Sequence, residues 1–332
     1  MTVRFERVAG PLVPWPELDR RPGRTVFQTR AWLDFLIETQ GAEPVTARLF
    51  DDGEAAGWFT GAVVRRAGVR ILGSPLKGWT TPAMGFDLPL GSDPRAVLDG
   101  LARFAFDDLR CLHLEVADRQ VLDEAAAPDG FVVGRLPGYE LALADDDTML
   151  AGMTRGGRRD VRRALRNGIV TTEVDPQDPG TFAASYYAQV TEAFAKRDRR
   201  PTYPQARVES LIRHLGPTGR LVLLEARTPD GDLAATGIFP GMAGGTAEYW
   251  MGASWRRHQH LLPNEALMWH ALRAWRDRGA VRMNFGGGGS YKAKYGGSPH
   301  VLPWLRTSRF RVLEHARSVA AGRYGRSRRR PW

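Results

Sequence analysis

The stretch Leu262-Pro263-Asn264-Glu265-Ala266-Leu267-Met268-Trp269-His270-Ala271-Leu272 is followed by Trp275, by Gly279-Ala280, and by Asn284-Phe285 ahead of four glycines, Gly286 to Gly289. Its punctuation sets the architecture. Proline suits the first turn of a helix, where its nitrogen has no bond to make, and glycine suits the position past the last turn. Pro263-Asn264 therefore opens a helix whose buried face carries Leu267, Met268, Ala271, Leu272 and Trp275, and Gly279 closes it. Residues 281–285 read as a strand that runs into a glycine loop. Helix, strand and close-turning loop in that order form one arm of an α/β layer.

Working upstream, residues 220–227 and 232–240 read as a hairpin joined by Pro229-Asp230-Gly231, with a further strand at 246–253. Helices are expected at 182–196 and 204–214. An arginine-rich helix at 157–167 has a narrow apolar stripe of Val161, Ala164 and Leu165, and Gly168 closes it at a left-handed position. The first half repeats the plan. Trp32, Leu33, Leu36 and Ile37 share one face of a helix at 27–37, with Thr29 as its cap. Strands follow at 45–50, 57–65 and 69–72, then a loop at 73–85, a helix at 93–109, and strands at 111–116 and 139–143. The fold class is α/β, with two subdomains of the same coarse plan in tandem. The expected division is an acidic subdomain at 1–148, a basic subdomain holding the reaction centre at 149–315, and a basic tail at 316–332.

The 332 residues can bury a large core, and 43% hydrophobic with 25% charged residues is ordinary for a globular chain. No window approaches the uninterrupted apolar length of a membrane span, and the first residues lack the apolar centre of a signal peptide. A lone cysteine, Cys111, can build neither an internal disulfide nor a thiolate metal cage. A cytoplasmic protein without a metal is expected. The net charge of +10 is unevenly placed: residues 1–148 hold 16 Lys and Arg against 23 Asp and Glu, and residues 149–332 hold 31 against 14. A polyanion meeting the second half is the physical expectation, whether nucleic acid, a phosphate-rich substrate or a membrane surface.

Two constellations could carry chemistry. Arg155, Arg158, Arg159, Arg162, Arg163 and Arg166 lie against one carboxylate, Asp160. Like charges three and four residues apart destabilise an isolated helix and call for an anion, and guanidinium forks suit phosphates. The second is Tyr291-Lys292-Ala293-Lys294-Tyr295-Gly296 after the four glycines. Only four of the 47 cations are lysine (Lys77, Lys196, Lys292, Lys294), and two of them sit here, where a compact ammonium can enter a site that a planar fork cannot. There is no Walker loop, no dinucleotide glycine turn, no Gly-x-Ser-x-Gly and no His-Glu-x-x-His. His113 reads as a core residue.

The run 262–272 with Gly279-Ala280, Asn284-Phe285-Gly286-Gly287 and Tyr291-Lys292-x-x-Tyr295-Gly296 resembles the second half of the Fem-type (FemABX) aminoacyl transferases, members of the GNAT superfamily. Residues 158–169 resemble that family's basic helix and following strand, and Phe27-Gln28 with Trp32 its opening helix. The resemblance implies two GNAT-like subdomains and amide-bond formation with aminoacyl-tRNA as co-substrate and no cofactor. The implied acceptor is an amine, either of a peptidoglycan precursor or of a small molecule. It implies Lys292 at the reacting carbonyl or the departing ribose, with Tyr291 shaping the pocket and Glu248 as the nearest base. Arg158, Arg162, Arg166, Arg256, Arg257 and Lys294 are candidates for phosphate or substrate binding, together with Trp32 and Lys77. Two departures stand out. The opening helix carries Asp34 and Leu36 where enzymes of peptidoglycan precursors tend to have lysine, and 256–261 has no glycine to cradle a coenzyme A pyrophosphate. The alternatives are an acetyl-CoA-dependent N-acetyltransferase and a non-catalytic protein binding RNA or a membrane surface.

Overall fold

The computed structural model describes residues 3–121, 127–196, 198–287, 289–310 and 312. In chain order they form β1 (Val3–Arg7), α1 (Trp15–Leu18), α2 (Arg30–Gln40), β2 (Glu43–Asp51), β3 (Glu54–Arg66), β4 (Val69–Ser74), β5 (Gly85–Asp87), α3 (Pro94–Arg103), β6 (His113–Ala117) and β7 (Val132–Ala142). Then come α4 (Asp146–Gly152), α5 (Arg155–Arg166), β8 (Val170–Val174), α6 (Phe182–Ala195), α7 (Gln205–Leu215), β9 (Leu221–Arg227), β10 (Leu233–Pro240), β11 (Thr246–Glu248), β12 (Met251–Ser254), α8 (Pro263–Asp277), β13 (Arg282–Asn284) and β14 (Ser298–Ser308). The expected tail at 316–332 lies outside the described residues. The described residues form two compact units, one within 3–14, 40–121, 127–136 and 302–310, the other within 15–39, 137–196, 198–287 and 289–301.

In the first unit β1, β2, β3 and β4 form an antiparallel ladder, β6 joins β4 in parallel, and residues 304–308 of β14 pair antiparallel with β6. Val97, Leu98 and Leu101 of α3 are buried in one core with Phe5, Phe59 and Phe104. Phe5 meets Phe59 edge-on at 6.1 Å and stacks on Phe104 at 5.7 Å, geometries that add to plain area burial. Asp93 caps α3 by accepting from the Arg95 amide at 2.9 Å. Cys111 is buried there, and burial pushes its thiol up to about 11, so it is inert. His113 is buried too, 2.8 Å from Ser308 Oγ and 3.2 Å from Glu115.

The second unit holds an antiparallel sheet in the order β12, β10, β9, β8, and a ladder in which β13 pairs antiparallel with residues 140–142 of β7 and in parallel with β11. The long helix α8 seals its core with Ala271, Leu272 and Trp275, the last of which donates its indole N–H to Phe239 O at 3.1 Å. Val161 and Ala164 supply the buried stripe of α5, whereas Leu165 is exposed.

One expected strand differs. Residues 246–253 form two short strands, β11 and β12, that belong to different sheets. Tyr249 N still donates to Asn284 O at 2.8 Å, but β13 then ends: Phe285 N turns to Tyr139 O, and Gly286 takes φ +67°. Beyond Trp250 the chain pairs with β10. The two layers part at this point, and the functional groups gather there.

Candidate active site

The parting of β12 from β13 leaves a cavity of about 280 Å³ in the second unit. Its floor is a cross-strand glycine pair, Gly237 of β10 opposite Gly252 of β12. A Cβ at Gly252 would lie 2.7 Å from the Tyr249 hydroxyl, so glycine there is what gives that hydroxyl its place. Phe239, Leu267 and Met268 form an apolar wall; Asn264, Glu265 and Ser254 form a polar one, with Asn264 Nδ2 donating to Ser254 Oγ at 3.0 Å.

The third wall is the short helical turn Ser290–Tyr295 after the glycines. Tyr295 is buried and stacks on Phe285 at 5.8 Å, which anchors the turn. Tyr291 lines the cavity beside Tyr249, near enough for the two hydroxyls to interact. Both hydroxyls are protonated at neutral pH, as any tyrosine is, and burial of Tyr249 pushes its pKa higher still, whereas Tyr291 is half exposed.

Lys292 is buried. Its ammonium donates to Phe285 O and to Gly287 O, the latter at 2.7 Å, and lies 5.8 Å from the centre of the Tyr249 ring. Burial lowers its pKa. This lysine fixes the exit of β13 and stands behind Tyr249. Lys294 does line the cavity, with its Nζ 2.5 Å from Glu265 Oε1 and 3.9 Å from Asp160.

The arginine helix α5 docks on the same turn. Thr154 caps it, accepting from Gly157 N at 3.0 Å, while the Thr154 amide donates to Lys294 O at 3.1 Å. A Cβ on Gly157 would come within 2.1 Å of Lys294 O, so glycine is required for the contact. The arginines divide in a way that their uniform spacing hides. Arg158 spends one guanidinium nitrogen on Leu150 O, Ala151 O and Met153 O, at 3.3, 2.8 and 2.8 Å, and so binds the end of α4. Arg155, Arg162, Arg163 and Arg166 are exposed.

The other expected residues lie elsewhere. Arg256 and Arg257 are exposed on the turn Arg256–Leu261, with the Arg257 guanidinium 5.6 Å from the Trp255 ring centre. Glu248 is buried on β11 and is not among the cavity residues; the carboxylate at the cavity is Glu265. Trp32 has no exposed surface: its ring lies 4.6 Å from Phe27 and 5.0 Å from Phe35, so it is core and cannot touch a ligand. Lys77 is an exposed residue of the first unit, 5.4 Å from the Trp304 ring. Sequence reasoning passed over Tyr249 as a site residue and read Glu265 only as part of a helix start. The available signal was that both flank the strand–helix junction expected to face the glycine loop.

Residues 153–295 match the acetyltransferase (GNAT) domain family, so the protein carries an acyltransferase domain that encloses the cavity. Its overall fold is the tandem GNAT arrangement. A crystal structure of FemX is similar at 13% identity and a TM-score of 0.68, over 90% of this chain and 96% of that one. A tandem GNAT protein from the clavulanic acid biosynthesis pathway is similar at 13% identity and 0.53, over 92% and 98%. L-PGS from Bacillus licheniformis is similar at 14% identity and 0.52, over 92% and 99%. No curated protein matches the sequence. Among the described residues no helix is long and apolar enough to cross a membrane.

Proposed function

We propose that the protein forms amide bonds by transferring an aminoacyl group from aminoacyl-tRNA to an amine. The observation that supports this donor is a contrast between the start of α8, which lines the cavity, and the exposed arginines along α5, which docks on the turn that forms the cavity's third wall. A pyrophosphate would need free backbone N–H groups at the start of α8. That start offers Pro263, which has no N–H; the amides of Glu265 and Ala266 turn back to Leu262 O at 3.2 and 3.4 Å, and the Glu265 carboxylate stands in the first turn, where it repels phosphate. The preceding residues 256–261 contain no glycine. By contrast α5, held against the cavity's own turn at Lys294 O, presents exposed Arg155, Arg162, Arg163 and Arg166, which suits a ribose-phosphate backbone.

In the reaction the acceptor nitrogen attacks the ester carbonyl. The C–N bond forms, the C–O bond to the ribose breaks, and a proton lost by the amine ends on the departing ribose hydroxyl. Negative charge develops on the carbonyl oxygen in between, and preorganised donors lower its energy. Tyr291 and Tyr249, whose hydroxyls are protonated at neutral pH, supply such donors at the cavity wall. Lys292 holds the carbonyls of Phe285 and Gly287 and places a positive charge behind the Tyr249 ring. No covalent enzyme intermediate is needed.

The family match by itself favours acetyl-CoA as donor. The two readings part in one assay: the protein is incubated with a pool of amines and either labelled aminoacyl-tRNA or labelled acetyl-CoA. Amide label from the first donor only, abolished by prior RNase treatment, is the expected result. Label from acetyl-CoA alone refutes the proposed donor.

A further inference from the structure

Glu265 is the cavity's carboxylate and is nearly buried, with 12% of its side chain exposed. An anion at this depth needs a partner, and that partner is Lys294 at 2.5 Å. Lys294 has a second carboxylate within reach, Asp160 at 3.9 Å on α5, so it can leave Glu265 without losing all charge compensation. The remaining charged groups nearby are committed. Lys292 is bound to two backbone carbonyls, and Arg159 pairs with Asp160 at 3.3 Å. Over the glycine pair lie the Phe239 ring and the Tyr249 hydroxyl, and Phe239, Leu267 and Met268 make one wall of the cavity apolar.

We propose that Glu265 binds the α-ammonium of the acyl group being transferred, with the Phe239–Leu267–Met268 wall taking an apolar amino-acid side chain. The inference rests on the aminoacyl reading above and deepens it: the cavity selects a donor with a free amino group over one that is N-blocked or acetyl. On binding, the ligand's ammonium takes the Glu265 oxygen that Lys294 held, and Lys294 moves toward Asp160. The site then holds three cations, the ammonium, Lys294 and Arg159, on two carboxylates, and Arg159, whose side chain is mostly exposed, is the one that water serves instead. This arrangement also keeps the acceptor amine distinct from the donor's own amine. The donor's nitrogen is protonated and held by the carboxylate, so it cannot act as the nucleophile.

The test uses leucine amide and N-acetylleucine amide as probes, titrated into the full-length protein by calorimetry or NMR. A charge-assisted hydrogen bond to a nearly buried carboxylate makes leucine amide the tighter ligand by roughly tenfold to a hundredfold. Glu265→Gln removes that preference. Lys294→Met keeps or increases it, because the carboxylate loses its competitor. The wild-type comparison is decisive even should a variant fail to fold. Equal binding of the two probes, binding of neither, or loss of the preference in both variants alike overturns the proposal; the last would mean that the pair only braces α5 against α8. A clear preference for leucine amide with no transfer from aminoacyl-tRNA supports the ammonium site and overturns the donor assignment instead.

Discussion

Replacing Arg162 and Arg166 together with alanine, and Arg158 alone in a second variant, separates two roles that one helix carries. Arg162 and Arg166 are exposed, whereas Arg158 is spent on three carbonyls at the end of α4. Each phosphate neutralised by an arginine adds roughly 0.7–0.9 to the slope of log affinity against log salt. If both exposed arginines meet tRNA phosphates, the double variant lowers that slope by about 1.4–1.8, and affinity at low salt falls roughly tenfold to a hundredfold. Arg158→Ala leaves the slope unchanged. Its cost falls on folding, because hydrogen bonds from a charged donor contribute about 1.5–3 kcal/mol, discounted here for partial exposure, which shifts Tm by a few degrees. Filter binding of tRNA between 50 and 200 mM salt measures the slope, and thermal melts measure the stability, at salt values of the order used to define such slopes. An Arg158→Ala variant with the same slope change as the double variant would refute the division of roles.

Three further outcomes follow from local geometry. Gly157→Ala gains about 1 kcal/mol of helix propensity, yet it destabilises the protein by a melt and slows transfer, because the new Cβ would sit 2.1 Å from Lys294 O and lever α5 off the turn. Lys292→Met leaves Phe285 O and Gly287 O without their charged donor and costs roughly 1–3 kcal/mol in a denaturant titration, along with most of the transfer rate. Glu38 is hydrogen-bonded to His214 and paired with Arg213, contacts that hold its carboxyl below the usual range. Its contribution to stability is thus present above the ordinary value of 4.5 and lost as pH falls through the lower folded value; Glu38→Gln flattens this acid limb of the Tm–pH curve.

Much of the fold was legible because local chemistry and tertiary packing agree. Pro263 and Gly279 bracket α8 as expected, with Leu267, Met268, Ala271, Leu272 and Trp275 buried, and Gly168 takes the left-handed φ of +76° after α5. The hairpin of β9 and β10 falls where Pro229-Asp230-Gly231 put it. What was illegible depends on partners distant in sequence. Nothing in 246–253 says that its two ends serve different sheets; that follows from β13 ending at Asn284. The spacing of Arg158 is identical in kind to that of Arg162, and only the end of α4 distinguishes them. Trp32 shows the limit of carrying a role by resemblance: the same residue that fits a motif is, in this chain, the centre of an aromatic cluster.

With unlabelled aminoacyl-tRNA and acetyl-CoA supplied together in one reaction with an amine acceptor, mass spectrometry of the acceptor reads which acyl group was taken. The cavity built from Tyr249, Glu265, Tyr291 and Lys294 predicts a gain of one amino-acid residue, in step with the appearance of deacylated tRNA. A gain of an acetyl group, with the tRNA still charged, would contradict it.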